Sequence, residues 1–348
     1  MRFCRLGLFK YIGSPAQFRG SGDAISASFV LTYTVGGEPM KVHCIPGYIS
    51  ALYLIEYPKK EKMLLLDTGF PSDLERIRFY VEEVMNSDKV GKQRMEDKIQ
   101  LAVCTHSHVD HAGASIGYER CGIPVAHPLN INEYYKGMKS SFRQLVEISL
   151  TFFAAGRLGR KKHENAFLFS KGLLGPYWQM PSKGPKLDDG TPLPYGFDDW
   201  VAIRCPGHTS HMICLYHPHS QLFYISDMFV QTKKGFFPPF TVDSTLAYNR
   251  SLHRLRGLPV RCALLAHFGI IDVDDKCGSW NGLIDDVVYN FTSPTSNGSH
   301  FSTISSMKKM VHTFTSEKVS PDVIIPSNSF PFKVEDGTDL PPLYIMNK

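Results

Sequence analysis

The sequence predicts an α/β fold built from packed layers of strands and helices. Short apolar runs of strand length recur along the chain, as in M-L-L-L at 63–66. Stretches with helical spacing lie between these runs, and a strand-rich segment opens the pattern. The chain has 348 residues, of which 43% are hydrophobic and 20% are charged, so it can form a large core and is not expected to be disordered.

Each element is predicted from its own pattern. The segment Ser72–Asn86 is predicted to be a helix because its apolar residues recur on one face, and Ser72 and Glu75 could form a capping box. The other predicted helices are Ala112–Cys121, Ile131–Gly137, Ser141–Ala155, Leu246–Leu255 and Thr303–Phe314. The predicted strands, besides one or two in 41–57 and the run at 63–66, are Ala27–Thr34, Ile99–Cys104, Pro124–Ala126, Trp200–Arg204, Met212–His217, Leu222–Ser226 and Cys262–Ala266.

The chain is predicted to form one large domain, residues 41–348, with an N-terminal extension, residues 1–40, packed on it. No internal repeat or low-complexity tract divides the sequence. Residues 128 to about 198 interrupt the strand pattern with amphipathic and basic stretches. We expect this segment to be a lid-like insertion, which either covers a site or forms an additional helical layer.

Charge and apolar patterning exclude several classes of function. The net charge of +5 is too small for this length to indicate a nucleic-acid partner. No apolar stretch approaches the roughly 18 residues of a membrane span, and the N-terminus does not resemble a signal peptide. The eight cysteines form no C-x-x-C pair, which favours reduced thiols. These features predict a cytoplasmic protein, and none of them indicates an oligomeric state.

Four residues with metal-ligand chemistry fall within 105–113, which reads T-H-S-H-V-D-H-A-G. They are His106, His108, Asp110 and His111. The two histidines that stand two apart follow a predicted strand, so their side chains point the same way in extended backbone. Ala112 and Gly113 have little side chain, and we expect the backbone there to pass close to the bound group. A solitary core histidine would need one partner, whereas a group this dense is best organised by a cation.

Three further candidates follow predicted strands later in the chain. They are His208 in C-P-G-H, Asp227 in Y-I-S-D and His267 in L-L-A-H. A polar residue after a strand is common, so each of the three is a weak signal alone. Together with the 105–113 cluster, and in this order, they form a much more specific pattern.

This order of motifs resembles the metallo-β-lactamase-fold hydrolases over about residues 43–270, and L-L-L-D-T-G-F around Asp67 matches the early motif of that superfamily. The resemblance implies a four-layer αββα sandwich with two metal ions at its edge. It assigns the first metal to His106, His108 and His208, the second to Asp110, His111 and His267, and the bridging position to Asp227. It also implies that Asp67 orients a ligand histidine, the alternative being a role in capping its strand.

The implied donor set of five imidazoles and two carboxylates suits two zinc ions, and iron or manganese is compatible with it. The resemblance implies a dinuclear hydrolase in which a hydroxide shared by the metals attacks an ester-like bond. Asp110 is then the catalytic residue that takes or steers a proton.

The segment P-G-Y-I-S-A-L-Y-L-I-E-Y and the turn C-P-G-H-T-S-H most resemble the lactonase-like branch, which includes acyl-homoserine lactonases and aryl-phosphotriester hydrolases. A lactone is therefore the expected small-molecule substrate. Aromatic residues of the insertion and of F-F-P-P-F at 236–240 would make it partly apolar, unless they pack in the core. That branch often has a substrate-holding tyrosine three residues beyond the bridging aspartate, where this chain has Val230.

Two other enzymatic functions remain open. A glyoxalase-II-like thioesterase would need a basic C-terminal pocket, for which Lys308 and Lys309 are the candidates; such a pair is more often a solvated surface. Some superfamily members with the first motif use a single iron for sulfur oxidation, so a mononuclear-iron sulfur dioxygenase is the alternative from another reaction class.

Overall fold

The computed structural model of the chain describes residues 29–35, 38–85, 93–136, 144, 147–149, 151, 180–232, 235–239, 242–267, 269–273 and 278–292. Several expectations lie outside these residues. They are the helix Thr303–Phe314 with Lys308 and Lys309, most of the predicted helix Ser141–Ala155, and the insertion aromatics expected to contact substrate, namely Phe152, Phe153, Phe167, Phe169, Tyr177 and Trp178.

The first sheet has seven strands that neighbour one another in chain order. They are β1 (Phe29–Val35), β2 (Glu38–Pro46), β3 (Ala51–Tyr57), β4 (Lys62–Leu66), β5 (Ile99–Val103), β6 (Val125–Pro128) and β7 (Lys186–Leu187). β1 to β4 pair antiparallel, whereas β4 to β7 pair parallel. β1 falls within the predicted N-terminal extension, so part of that extension is an edge strand of this sheet.

The second sheet has six strands in the order β15-β14-β11-β10-β9-β8. They are β8 (Pro192–Leu193), β9 (Phe197–Arg204), β10 (Ile213–His217), β11 (Leu222–Tyr224), β14 (Cys262–Leu265) and β15 (Gly269–Asp272). β11 and β14 pair parallel, and the other neighbours pair antiparallel. A separate hairpin joins β12 (Val230–Thr232) and β13 (Gly235–Phe237).

The helices are α1 (Asp73–Phe79), α2 (Met95–Lys98), α3 (Val109–Ala112), α4 (Ser115–Arg120), α5 (Thr245–Leu255) and α6 (Trp280–Thr292). α1 confirms the helix predicted from Ser72, but the predicted capping box is wrong: the Ser72 side chain makes no cap hydrogen bond. The Asp73 carboxylate fixes the start of this helix instead, by accepting the backbone N–H groups of Phe70 and Tyr48, each at 2.8 Å.

The sequence pattern does not predict α6. Its sequence, W-N-G-L-I-D-D-V-V-Y-N-F-T, includes glycine, asparagine, aspartate and β-branched residues, which are weak helix formers. Its stability comes from packing, because Leu283, Ile284 and Val287 are buried against the second sheet. Tertiary burial outweighs local propensity here.

Three apolar clusters define the layers. One lies between the two sheets, one packs the second sheet against α5 and α6, and one packs the first sheet against α1 and α4. β4 shows how the alternation of a strand supplies two of them: Leu64 and Leu66 face the second sheet, while Met63 and Leu65 face the helices. The predicted four-layer αββα sandwich is confirmed.

Other expectations are settled by burial. The described cysteines are all free, and only Cys121 among them is not buried. Phe236, the first aromatic of F-F-P-P-F, is buried in the cluster under α6, so it packs in the core. No helix within the described ranges is long and apolar enough to cross a membrane.

Candidate metal centre

The candidate residues meet at the edge where strands of both sheets end. β4, β5, β9, β11 and β14 each end within a few residues of one of them. Backbone hydrogen bonds join the two sheets at this edge, from Ala51 N to the Ala266 carbonyl at 2.7 Å and from Ile213 N to the Thr105 carbonyl at 3.2 Å. The site is therefore fixed by the framework of both sheets.

The first group consists of three imidazoles. His108 Nδ1 lies 3.1 Å from His106 Nε2 and 2.9 Å from His208 Nε2. The two early histidines lie in a bend after β5 that brings their rings together, and His108 is the N-cap residue of α3. Three imidazole nitrogens that converge in this way form one face of a metal site.

The second group combines a carboxylate with two imidazoles. α3 carries Asp110 and His111, and His267 follows β14. Asp110 Oδ2 lies 3.6 Å from Nε2 of His111 and 3.6 Å from Nε2 of His267. The structure thus brings together residues that lie more than 150 positions apart in the chain.

Asp227 lies between the two groups. Its Oδ2 atom is 3.3 Å from His208 Nε2 and 3.8 Å from His106 Nε2. Its Oδ1 atom is 3.3 Å from His111 Nε2 and 3.4 Å from His267 Nε2. Each carboxylate oxygen therefore faces a different group.

The donor set fits a bound cation. Nε2 of His111 and Oδ1 of Asp227 are buried, and neither makes a hydrogen bond to any described residue, although they are only 3.3 Å apart. Buried polar atoms without partners are costly unless a bound ion satisfies them. Imidazole nitrogens and carboxylate oxygens are also the ligands that zinc, iron and manganese accept.

The electrostatics of the site favour positive charge. Burial, with further contributions from neighbouring imidazoles, lowers the pKa of His106 well below its usual value. At His111, burial would lower the pKa as well, but the carboxylates of Asp227 and Asp110 raise it well above the usual value. Burial raises the pKa of Asp227, yet the imidazoles of His111 and His267 bring it well below the usual range. The anionic carboxylates thus attract either protons or a metal cation.

Asp67 contacts His111, a member of the second group. It is fully buried at the end of β4, in a left-handed conformation with φ 61°. Its Oδ2 atom lies 2.7 Å from His111 Nδ1 and accepts the Tyr224 hydroxyl at 2.5 Å, and its Oδ1 atom accepts the Thr105 N–H at 2.7 Å. This contact directs Nε2 of His111 toward Asp227.

Several supporting residues were not recognised in the sequence. The hydroxyls of Thr105 and Ser226 lie 3.2 Å and 3.3 Å from His106 Nδ1, and Ser50 donates to the backbone carbonyl of Asp110 at 2.8 Å. Thr105 and Ser226 are adjacent to candidate ligands in the chain, so a search for hydroxyls next to strand ends could have found them. Ser50 carries no such signal.

Two small residues have a different role from the one expected. The structure places Ala112 in the core cluster that faces α1 and α4. A Cβ atom on Gly113 would lie 2.3 Å from the Val109 carbonyl oxygen and 2.5 Å from Pro71 Cδ. Their small size therefore serves the packing of α3 against its neighbours, and the expected close approach of the backbone to the bound group stays a prediction.

Gly207 is required by the turn that carries His208. Its φ of 143° lies in a region that L-residues rarely adopt. A Cβ atom there would lie 2.3 Å from Tyr248 Cα in α5. The glycine therefore lets the P-G-H turn pack directly on a helix, which fixes the position of His208.

Two of the described residues in the segment 128–198 lie close to the site. The Tyr134 ring lies 6.2 Å from the His108 ring and 5.0 Å from the His211 ring, measured between centroids. The Tyr134 hydroxyl donates to Asp243 Oδ2 at 2.8 Å. Glu147 Oε1 lies 3.7 Å from His108 Nε2. Part of the insertion is therefore in contact with the candidate centre.

The chain matches the sequence model of the metallo-β-lactamase superfamily over residues 45–267. The match includes all seven candidate ligands and Asp67. The chain belongs to the metallo-β-lactamase superfamily. Metallo-β-lactamase superfamily proteins are generally metal-dependent hydrolases, and the His/Asp cluster fits that class.

Solved structures of other superfamily proteins resemble the chain at low sequence identity. The metallo-β-lactamase FIM-1 from Pseudomonas aeruginosa, in its mono-zinc form, is 13% identical, with a TM-score of 0.48 over 76% of this chain and 97% of its own. A metallo-β-lactamase family protein from Thermus thermophilus is 18% identical, with a TM-score of 0.44 over 75% and 80%. An archaeal superfamily protein from Sulfolobus tokodaii is 14% identical, with a TM-score of 0.44 over 78% and 95%. No curated protein sequence matches the chain.

Proposed function

We propose that this superfamily member is a dinuclear hydrolase of an ester-like bond, with zinc as the metal and a lactone as the substrate class. The observation that carries the proposal is the placement of Asp227, whose two oxygens each lie 3.3 Å from an imidazole nitrogen of a different group, His208 and His111. A carboxylate in that position can bridge two cations. Both groups are complete, which favours two metals over one.

Two bound cations would supply an activated water of lowered pKa and polarise the carbonyl oxygen of the substrate. The residues of the chain do the rest. Asp110 Oδ2 lies 3.6 Å from both imidazoles of its group, and its side chain is only 11% exposed. From there it can orient the attacking water and accept its proton. Ser50 donates a hydrogen bond to the backbone carbonyl of Asp110, which helps to fix the part of α3 that carries this side chain.

The lactone rests on the resemblance of the early strand pair and of C-P-G-H-T-S-H to the lactonase-like branch. The position three residues beyond Asp227 is Val230, so no tyrosine is available there. Tyr134 offers a phenol from another direction, because its half-buried ring lies 6.2 Å from that of His108. We propose that the Tyr134 ring contacts the substrate, while its hydroxyl stays bonded to Asp243.

Metal content of the purified protein tests the dinuclear site. We expect about two zinc ions per chain, about one in His267→Ala, and close to none in Asp227→Ala, because that variant loses the bridge. His253→Ala, which removes an exposed histidine of α5, is the matched control and should keep both ions. A single iron in the native protein would contradict the proposal and favour sulfur oxidation.

Turnover then tests the substrate and the role of Asp110. A panel of lactones, thioesters and aryl phosphotriesters should show its highest kcat/KM for a lactone; preference for a glutathione thioester would favour the glyoxalase-II-like alternative. Asp110→Asn should retain its fold and lower kcat about 100-fold or more, because proton transfer to a positioned side chain contributes on that order. Unchanged kcat in this variant would rule out the assigned role.

A further inference from the structure

His108 faces its group through Nδ1, which directs its other ring nitrogen away from the donors. That atom, Nε2, is buried and makes no hydrogen bond within the part of the chain that the structure describes. Glu147 Oε1 lies 3.7 Å away, and the His108 and Glu147 side chains are only 11% and 13% exposed. A carboxylate of the insertion thus faces a buried imidazole N–H position across a small gap.

We propose that Glu147 is a positioning residue for His108, and that Tyr135 holds Glu147 in place. The inference rests on the proposed metal centre. The Tyr135 hydroxyl donates to Glu147 Oε2, which leaves Oε1 directed at His108. A neutral imidazole carries one proton, so an imidazole that binds a cation through Nδ1 must carry that proton on Nε2. Metal binding therefore selects the tautomer whose N–H group points at Glu147.

The second group of the candidate centre contains a similar arrangement. Tyr224 donates to the Asp67 carboxylate, and Asp67 contacts the outward nitrogen of His111 at 2.7 Å. In both places a tyrosine hydroxyl fixes a carboxylate, and the carboxylate faces the ring nitrogen that is directed away from the donors. Carboxylates in this position orient ligand histidines and raise their basicity, and losing one typically costs about 10–100-fold in metal affinity.

Because Glu147 lies in the insertion, its contact with His108 would couple the insertion to metal binding. Asp67 belongs to the sheet framework, whereas Glu147 and Tyr135 belong to the insertion. Coupling between two binding events is reciprocal. If Glu147 strengthens metal binding at His108, then metal binding at His108 must strengthen the contact of the insertion with the site by the same factor.

Metal affinity of the stripped protein tests the proposal without reference to any substrate. Zinc or cobalt(II) is titrated into chelator-treated protein in competition with a chromophoric chelator. Glu147→Gln, which keeps the size of the side chain, should weaken the His108 group about tenfold, leave the Asp110 group unchanged and shift the visible spectrum of bound cobalt(II). Tyr135→Phe should weaken the same group by a smaller factor. Glu133→Gln is the matched control, since Glu133 is an exposed carboxylate of the insertion bonded to Lys136.

The outcomes separate this inference from the proposed function. Wild-type affinity and an unchanged cobalt spectrum in Glu147→Gln would overturn the role of Glu147, while a large loss in His108→Ala would leave the metal centre standing. A wild-type protein that binds no metal would overturn both. Unfolding curves of the metal-free Glu147→Gln and Glu133→Gln variants should coincide, so that a difference in metal affinity reports the contact and not a loss of fold.

Discussion

Two tyrosine–carboxylate–histidine triads lie beside the candidate centre, and they belong to different parts of the structure. In the core triad, which contains Tyr224, Asp67 and His111, Asp67 is fully buried and its Oδ2 atom lies 2.7 Å from Nδ1 of His111. In the insertion triad, which contains Tyr135, Glu147 and His108, Glu147 is 13% exposed and its Oε1 atom lies 3.7 Å from Nε2 of His108. Both contacts join a carboxylate oxygen to an imidazole nitrogen, but the first is within hydrogen-bonding distance and the second is not.

This difference in distance indicates which of the two donor groups is preorganised by the fold. The Asp67 carboxylate also accepts the backbone N–H and the hydroxyl of Thr105, at 2.7 Å and 2.8 Å, so the sheet framework fixes it before any metal arrives. Glu147 is held by Tyr135, a residue of the same insertion. We therefore expect the Asp110 group to be set by the fold, and the His108 group to depend in part on the insertion.

Removing the core carboxylate should have the largest effect. Asp67→Asn replaces an acceptor of several buried hydrogen bonds by a partial donor, so the free energy of unfolding of the metal-free protein should fall by about 3 kcal/mol. Affinity of the Asp110 group for zinc should fall about 10–100-fold. Urea unfolding and chelator competition measure the two effects. Asp285→Asn, on the exposed side of α6, is the control, and equal unfolding midpoints for the two variants would contradict the comparison.

The two tyrosines should differ in the same direction. Tyr224 is fully buried and Tyr135 is half-buried, so loss of the hydroxyl should matter more in the core. Tyr224→Phe should lower the free energy of unfolding by about 2 kcal/mol, because a buried hydrogen bond to a carboxylate is lost. Tyr135→Phe should lower it by less than half of that. If urea midpoints fall equally in both variants, the two triads are equally preorganised, and the proposed difference between core and insertion is wrong.

A third histidine–carboxylate pair provides the smallest effect and a reference without metal. His43 Nε2 lies 2.9 Å from Glu56 Oε2, at the opposite end of β3 from the candidate centre. The hydrogen bond with His43 lowers the pKa of Glu56 despite its burial. Because the folded-state pKa is below the unfolded value of about 4.3, the pair stabilises the protein above that pH, and the contribution is lost as the pH falls.

Glu56→Gln should therefore lower the free energy of unfolding at pH 7 by less than about 1 kcal/mol, and the difference from wild type should shrink as the pH falls below the unfolded value and vanish only below the lowered folded-state pKa of Glu56. Unfolding curves at several pH values measure it, with the exposed Glu61→Gln as control. Added zinc should leave the difference unchanged. A zinc-dependent difference would mean that the pair is coupled to the centre and cannot serve as the reference.

The sequence predicted the layered fold and the seven candidate ligands because both depend on local patterns. Continuous apolar runs such as that of β4 mark strands buried on both faces, and the carboxyl ends of those strands meet at one edge. Polar residues that follow the strands, such as His208 and Asp227, are therefore brought together by topology. Whether each binds metal stays a prediction.

The supporting residues could not be predicted in the same way, because their partners come from distant segments. Tyr224 packs in the core between the two sheets, but its hydroxyl reaches Asp67, which lies 157 positions earlier. Nothing near Glu147 in the sequence indicates His108 as a neighbour. α6 was missed for the opposite reason, since its own residues disfavour a helix that tertiary packing stabilises.

The candidate centre draws its donors from both sheets: four follow β5 of the first sheet, and three follow β9, β11 and β14 of the second. Ions held by these two groups would link the two sheets of the sandwich, and with them segments as far apart as residues 106 and 267. Resistance to heat should then follow mass action, with a melting temperature that rises with the logarithm of free metal concentration. For such a protein, the supply of metal in its surroundings would set not only how fast it works but how long it lasts.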